Sequence, residues 1–132
     1  LVFAVVATTG LILGAVYTDA GTIINVLNKP VRHVAVIFSG QGTIRGNHWH
    51  PEDDQYLYVV FGSMVSHSRP ANDPSFLIHS MPVHAGQLLH SPPGVTHAYK
   101  FEMESMCIAL TIDSREPSRF AEHTIREEIL PP

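Results

Sequence analysis

The sequence predicts an all-β fold, a sandwich or a barrel, on the basis of three observations. Short apolar runs, several with alternating polarity, follow one another from residue 22 to residue 112. Turn signals rich in glycine, proline and acidic residues separate them, and no useful run of helical periodicity precedes residue 113. A chain of 132 residues is long enough for one domain with a real core and too short for two, so we assign residues 1–132 to a single domain.

The apolar runs place the strands in order along the chain. They cover residues 22–27, 31–40, 43–50, 55–61, 76–86, 87–91, 95–103 and 105–112. The tail, residues 113–132, is rich in charged residues and differs in this from the apolar runs before it. We expect it to be irregular or to hold a short helix or a closing strand.

The first seventeen residues carry no charge and raise the question of a signal or membrane segment. They lack a basic start, and Thr8, Thr9 and Gly10 interrupt the apolar run, which argues against both. Valine-rich flanks around this Thr-Thr-Gly predict two short strands joined by a turn. We expect this apolar hairpin to pack on the barrel or on a second subunit.

Composition excludes several function classes. Hydrophobic residues make up 45% of the chain and charged residues 15%, which is typical of a globular domain. The net charge is -4 and the eight Lys and Arg residues are scattered, so no nucleic-acid-binding face is expected. The single cysteine, Cys107, lies in an apolar run, is interpreted as a buried strand residue and fits a reducing, cytoplasmic location.

Three histidines form the strongest chemical signal. His48 and His50 flank Trp49, so on an extended strand their imidazoles point to one side and the indole to the other. Two such rings are poor core filler but good ligands for a divalent metal. His97, after a Pro-Pro-Gly turn, is well placed to supply a third imidazole. The sequence therefore predicts a small β-barrel with a metal site at its mouth.

The spacing of these residues resembles the two motifs of the cupin superfamily. The first motif, residues 42–62, has Gly42, His48, His50, Gln55 and Gly62 at the family's positions, with Gln55 in place of the usual glutamate. The second, residues 86–101, runs from Gly86 through Pro92, Gly94 and His97 to Phe101, where the family usually has asparagine.

The cupin resemblance implies a jelly-roll β-barrel of the conserved cupin type, often dimeric. It also implies one divalent transition metal (zinc, iron, manganese or nickel) held by His48, His50 and His97 with Gln55. Because a glutamine oxygen is a weaker, neutral ligand, a metal-free barrel whose histidines hydrogen-bond a ligand is the alternative. We expect a homodimer through the apolar amino-terminal strands.

Arg45-Gly46-Asn47-His48 carries a narrower resemblance, to cupin epimerases and ketoisomerases of nucleotide-sugar pathways, including the cupin half of capsular polysaccharide reductases. It implies that Arg45 pairs with a phosphate or sugar oxygen. It also implies that a histidine such as His48 or His97 removes a proton beside a keto group. A histidine that ligates a metal cannot also be a free base, so these two roles compete.

The remaining candidates line the expected pocket. Tyr99 and Phe101 share a face with His97 and are predicted to contact the substrate. His90 has two interpretations, as a base or substrate donor at the pocket mouth or as a satisfied barrel histidine. Three functions stay open: a keto-sugar-nucleotide epimerase or isomerase of polysaccharide biosynthesis, a mononuclear non-haem oxygenase, and a non-catalytic small-molecule-binding or sensing barrel.

Overall fold

The computed structural model describes residues 8–10, 15–113 and 123–131, and this part of the chain contains twelve β-strands. They are β1 (Thr8–Gly10), β2 (Ala15–Thr18), β3 (Gly21–Ile24), β4 (His33–Ser39), β5 (Ile44–Trp49), β6 (Gln55–Phe61), β7 (Ser63–Pro70), β8 (His79–His84), β9 (Leu88–Ser91), β10 (Val95–Phe101), β11 (Ser105–Thr111) and β12 (Ile125–Arg126).

Ten of these strands form two antiparallel five-stranded sheets. The first sheet has the order β1-β9-β6-β11-β4, and the second has the order β12-β5-β10-β7-β8. β2 and β3 form a separate two-stranded hairpin. The all-β class predicted from the alternating runs is confirmed.

The core lies between the two sheets. Buried side chains of the first sheet, such as Leu57 and Cys107, cluster with buried side chains of the second, such as Met64 and Phe101. Side chains of β4 alternate as in a regular strand, because every second residue is turned out of the core. The two inner faces therefore enclose an interior, and the metal motifs open onto it.

Three strand predictions need correction. The predicted strand 76–86 begins only at His79, because Asp73 accepts hydrogen bonds from Ser75 and Phe76 and holds the preceding segment in turns. The strand predicted from residue 22 ends at Ile24 rather than at residue 27. β7 runs from Ser63 through Pro70, a stretch that none of the predicted strands covers, because it pairs along its length with β10.

The amino-terminal prediction is partly wrong. Thr8–Gly10, expected to be a turn between two short strands, is itself a strand and pairs with β9 at the edge of the first sheet. The turn of the described hairpin is at Asp19 and Ala20, between β2 and β3. Residues 1–7 and 11–14, on which the rest of this prediction falls, lie outside the described residues.

The tail contains the closing strand that was one of the three alternatives. β12 pairs with β5 at the edge of the second sheet, with Ile125 opposite Trp49 and Arg126 opposite His48. Residues 114–122 lie outside the described part. Within that part, no helix has the length and apolar character needed to span a membrane.

Candidate metal centre and substrate pocket

A β-bulge in β5 sets the geometry of the site. Facing β10, His48 lies opposite His97 and Gly46 opposite Ala98, so Asn47 is one residue more than the partner strand can match. Gly46 and Asn47 both have positive φ, 91° and 56°. Such angles suit glycine and are tolerated by asparagine, which explains why these residue types stand here.

The bulge puts an arginine beside the histidines. In a regular strand, residues 45 and 48 would point to opposite faces because side chains alternate. The extra residue shifts the side-chain alternation by one position. Arg45 therefore faces inward opposite Tyr99, and His48 faces inward opposite His97. This placement could not be read from the local sequence pattern.

The three predicted metal ligands meet inside the barrel. Ring centroids lie 4.8 Å apart for His48 and His50, 4.7 Å for His48 and His97, and 5.5 Å for His50 and His97. One nitrogen from each ring can be chosen so that all lie within 4.8 Å of one another. Nitrogen ligands of one tetrahedral zinc ion lie roughly 3.4 Å apart, so small ring rotations bring these donors to a common ion.

A backbone carbonyl group orients the ring of His50 through a hydrogen bond to one of its two nitrogens. Nδ1 of His50 lies 2.6 Å from the backbone carbonyl oxygen of His123. Because a carbonyl only accepts, Nδ1 carries the hydrogen and Nε2 is the nitrogen with a lone pair for a metal. A carbonyl behind a ligating histidine is the usual support for such a ligand.

The side chain of Gln55 indicates whether the site suits a metal ion. Its side chain enters the same cavity, and its buried Oε1 has no hydrogen-bond donor among the described residues. A buried carbonyl oxygen without a donor costs free energy unless a ligand, ion or water satisfies it. Three clustered imidazoles, with an amide oxygen in the cavity beside them, are donors that fit a divalent transition metal.

The cavity has a volume of about 220 Å³ and opens to solvent. Drug-sized ligands need roughly 300–1,000 Å³, so this space suits a single sugar ring or a small acid rather than a whole nucleotide-sugar. None of the described residues that line it is acidic. Its polar and aromatic lining comes from Arg45, His48, Gln55, His97, Tyr99 and Phe101.

Arg45 is the cation of this cavity. Its Nε donates to Oγ of Ser39 at 2.7 Å, and its Nη2 donates to the backbone oxygen of Phe38 at 2.9 Å. These two bonds leave further guanidinium donors for a ligand, because the group carries five N–H bonds. With a cation and no carboxylate along its described lining, the cavity favours an anionic or oxygen-rich ligand.

Two other lining residues carry exchangeable protons. The hydroxyl groups of Tyr99 and Ser91 share a hydrogen bond of 3.0 Å inside the barrel, and the Tyr99 ring stacks on His97. Burial raises the pKa of the Cys107 thiol to about 11, against a smaller lowering effect of the Arg45 charge. Cys107 is therefore a protonated, buried strand residue at neutral pH, as predicted, and not a nucleophile.

His90 does not lie at the pocket mouth, and that expectation is corrected. Its neighbours Leu89 and Ser91 point into the barrel, so its own ring points out and stacks on Tyr56 at 4.5 Å. Its Nε2 lies 2.5 Å from Oδ1 of Asp54. His90 therefore matches the second interpretation, a histidine of the barrel whose hydrogen-bonding needs are met by neighbouring residues.

Comparisons with known proteins agree with this architecture. No protein-family model and no curated protein sequence matches the chain. Among solved structures, it is similar to the capsular polysaccharide assembling protein CapF from Staphylococcus aureus, with 26% identity, a TM-score of 0.65, and 87% of this chain covered. The match covers 34% of CapF, so this chain spans about a third of that protein's length.

Two smaller proteins match over more of their length. A 3,4-ketoisomerase from Helicobacter canadensis has a TM-score of 0.73 at 16% identity, covering 92% of this chain and 90% of that one. The rmlC epimerase from Mycobacterium tuberculosis has a TM-score of 0.71 at 17% identity, covering 91% of this chain and 68% of that one. At these identities the likeness concerns the fold.

The two packed sheets, the interior histidine cluster and these similarities define the class of protein. The chain has the jelly-roll barrel of the cupins. It is similar to RmlC-like cupin epimerases and ketoisomerases, as the motif from Arg45 to His48 predicted.

Proposed function

We propose that this cupin binds one divalent transition metal and catalyses epimerisation or isomerisation of a keto-sugar nucleotide in polysaccharide biosynthesis. The observation that carries the proposal is the histidine cluster beside the cavity, whose lining brings His48, His97 and Gln55 together with the Arg45 cation. Two proteins of the same fold support the substrate class. The ketoisomerase QdtA from Thermoanaerobacterium thermosaccharolyticum was crystallised with TDP-4-keto-6-deoxyglucose, and the 3'-monoepimerase ChmJ from Streptomyces bikiniensis with dTDP-quinovose.

Each lining residue has a role in this proposal. His48, His50 and His97 hold the metal with Gln55, and a metal bound there supplies Lewis-acid polarisation of the substrate carbonyl. Arg45 pairs with a phosphate or sugar oxygen through its planar fork. The cavity takes the sugar ring, and the nucleotide lies outside it because 220 Å³ leaves no room for a base.

Tyr99 is assigned the proton transfer. The imidazoles that ligate a metal have no lone pair left for a proton, and Cys107 stays protonated. Among the described lining side chains, the Tyr99 hydroxyl remains, and the Ser91 hydroxyl can donate a hydrogen bond to its oxygen. Tyr99 acts as the tyrosinate, after its hydroxyl proton has passed to solvent, and takes the proton next to the keto group from carbon. The electron pair of that C–H bond moves onto the keto oxygen as an enolate, and the Tyr99 hydroxyl then returns a proton to carbon.

Deuterium exchange tests the function directly. The protein is incubated with TDP-4-keto-6-deoxyglucose in deuterium oxide, and proton NMR follows the sugar. We expect signals of protons beside the keto group to disappear and those of a new keto-sugar to appear. A sugar that keeps its protons, with no rise in the melting temperature on addition of the nucleotide-sugar, would overturn the proposal.

Two matched variants separate binding from chemistry. Tyr99→Phe removes only the hydroxyl, so exchange should fall about 100-fold or more while the melting-temperature shift with ligand persists. Arg45→Met removes the cation, so the ligand-induced shift should disappear and KM should rise. If Tyr99→Phe exchanges at the wild-type rate, the assignment of Tyr99 is wrong.

The all-imidazole ligand set favours one second candidate, a mononuclear non-haem oxygenase. Such a site holds iron with protein nitrogens and keeps positions open for substrate and dioxygen. Oxygen consumption after addition of ferrous iron and a small oxygen-rich acid would support it. If neither assay responds, the chain is a non-catalytic binding or sensing barrel, the third function that the sequence left open.

We also propose a homodimer in the cytoplasm, and a described surface supports the dimer. The outer face of β4 and β11 carries the side chains of Val34, Val36 and Phe38, with Met106, Ile108 and Leu110 opposite them in register. Val34, Val36 and Phe38 are 58%, 55% and 65% exposed. Exposed apolar side chains grouped on one sheet face favour an interface, because monomers rarely leave large apolar patches in solvent.

A second copy of the same face is the occupant we propose. None of these six side chains carries a charge, so the face can pair with itself about a two-fold axis. This surface differs from the amino-terminal strands expected from the sequence, of which residues 1–7 and 11–14 lie outside the described part.

Phe38→Glu should convert the dimer to a monomer at micromolar concentration, because it places an unpaired charge in an apolar interface. Light scattering coupled to size exclusion measures the mass. Leu77→Glu is the matched control, since Leu77 is exposed on the loop before β8 in the other sheet. A wild-type chain that is already monomeric, or a dimer that survives Phe38→Glu unchanged, would contradict this interface.

A further inference from the structure

The last described segment, residues 123–131, crosses the outer face of the second sheet, and we call it the strap. Thr96 and Ala98 of β10 alternate with inward-facing His97 and so point out of the barrel, yet both are fully buried. Strap residue Glu127 accepts a hydrogen bond from Thr96. The strap therefore covers the outside of the strand that carries His97.

The near end of the strap touches the histidine cluster. The carbonyl of His123 accepts the hydrogen of His50 Nδ1 at 2.6 Å, and the hydroxyl of Thr124 lies 3.4 Å from the same nitrogen. β12 then pairs with β5 directly behind His48. The strap thus contacts two of the three predicted ligands, His50 by a hydrogen bond and His48 by strand pairing.

The far end of the strap is fastened by Asn47, the extra residue of the bulge. Its Oδ1 accepts hydrogen bonds from the amides of Ile129 and Leu130, both at 3.0 Å. Its Nδ2 donates to the carbonyl of Leu130 at 2.9 Å, and its own carbonyl accepts from the amide of Glu127. One side chain satisfies three backbone groups, so the bulge and the strap hold each other in place.

Glu127 is the second fastening. Its carboxylate accepts from Arg69 at 3.0 Å, from the amide of Asn72 at 2.8 Å and from Thr96 at 2.9 Å. Burial alone would raise its pKa, but these hydrogen bonds and the Arg69 charge outweigh burial and lower it. The carboxylate is therefore ionised at neutral pH and ties the strap to β7 and β10.

We propose that the strap is the positioning element of the metal site, so that strap docking and metal binding are coupled; the inference rests on the metal binding proposed above. Docking holds His50 in the tautomer and orientation that offer Nε2 to the cluster. Without the His123 carbonyl, the ring is free to exchange tautomers, and each competing arrangement lowers the metal affinity. By reciprocity, a bound metal favours the docked strap by the same factor.

Zinc titration of strap variants tests the coupling. Glu127→Ala removes a fastening that touches none of the three histidines, and Asn47→Gly removes the other while tolerating positive φ. Both should weaken zinc binding about 10- to 100-fold, measured by competition with a chromophoric chelator. Glu127→Gln, which keeps an acceptor oxygen, should recover part of the affinity. Ser80→Ala removes a hydrogen bond with His67 elsewhere on this sheet and should bind zinc like the wild type.

Two measurements distinguish positioning from general stability. Nitrogen NMR of His50 should show one tautomer, hydrogen on Nδ1, in the wild type and a mixture in Glu127→Ala, without any metal. Amide exchange at Ile129 and Leu130 of the wild type should slow when zinc is added. This second measurement needs no variant, so it decides the coupling even if a variant fails to fold.

Three outcomes would overturn the inference. Folded Glu127→Ala with wild-type zinc affinity contradicts it, and so does one His50 tautomer in every variant. Strap amides whose exchange zinc leaves unchanged contradict the coupling. A wild-type protein that binds no zinc, iron, manganese or nickel instead contradicts the proposed metal site. In that case the metal-free NMR measurement still decides whether the strap fixes the tautomer of His50.

Discussion

His50→Ala is expected to release the metal while the barrel stays folded. The substitution removes one of three imidazoles whose donor atoms lie within 4.8 Å of one another, and Gln55 alone cannot replace it. Structural metal sites derive their affinity from all ligands together, so losing one should weaken binding at least about 100-fold. Elemental analysis of protein purified without added metal measures the content.

The barrel should survive because its core lies elsewhere. The buried apolar cluster is built from both sheets around Leu57, Val59, Met64 and Phe101, and none of these is altered. We expect a loss of about 1–3 kcal/mol in the free energy of unfolding, as for an ordinary buried substitution. His84→Ala, at an exposed position of β8, is the control and should keep its metal. Equal metal content in His50→Ala and wild type would refute the ligand assignment.

Gly46→Ala is expected to be the most damaging single substitution at the bulge. A Cβ at this position would lie 2.6 Å from the backbone oxygen of His97, and the residue has φ of 91°. Backbone atoms of β10 cannot move aside without disturbing His97 itself. We expect the free energy of unfolding to fall by about 3 to 5 kcal/mol, with loss of metal binding in whatever folded protein remains.

Gly86→Ala is the matched control for the backbone angle. Gly86 has φ of 85°, but nothing lies within 4 Å of the Cβ that alanine would add. The left-handed conformation alone should cost about 1 to 2 kcal/mol, and metal binding should persist. Chemical denaturation of both variants measures the difference. If the two substitutions cost the same, close approach to β10 is not what requires glycine at position 46.

The interior faces of the strands were readable from the sequence because side-chain alternation is local. Residues along β4 alternate between exposed and partly buried, and His97, Tyr99 and Phe101 share one side of β10, as predicted. The convergence of His48 and His50 with His97 followed from the cupin motif spacing. These features depend on short-range geometry or on a motif shared with known barrels.

What the sequence did not reveal depends on pairing between distant segments. The position of Arg45 beside His48 needs the register against β10, which no window of β5 contains. His90 and Asp54 are 36 residues apart and meet only because β9 lies beside β6. Asn47 fell within the strand predicted over residues 43–50, and its bonds to Ile129 and Leu130 span more than 80 positions.

Because of the bulge at Asn47, the number of residues between the arginine and the histidine decides whether both side chains face the same cavity. An arginine three positions before a histidine would stand on the far side of a straight strand, so both can serve one ligand only where an additional residue is accommodated. Deleting Asn47 should turn the guanidinium toward solvent while the imidazole keeps its direction. Insertion or deletion of a single residue between the arginine and the histidine is therefore a route by which related barrels would gain or lose an anion-binding group while both side chains are kept.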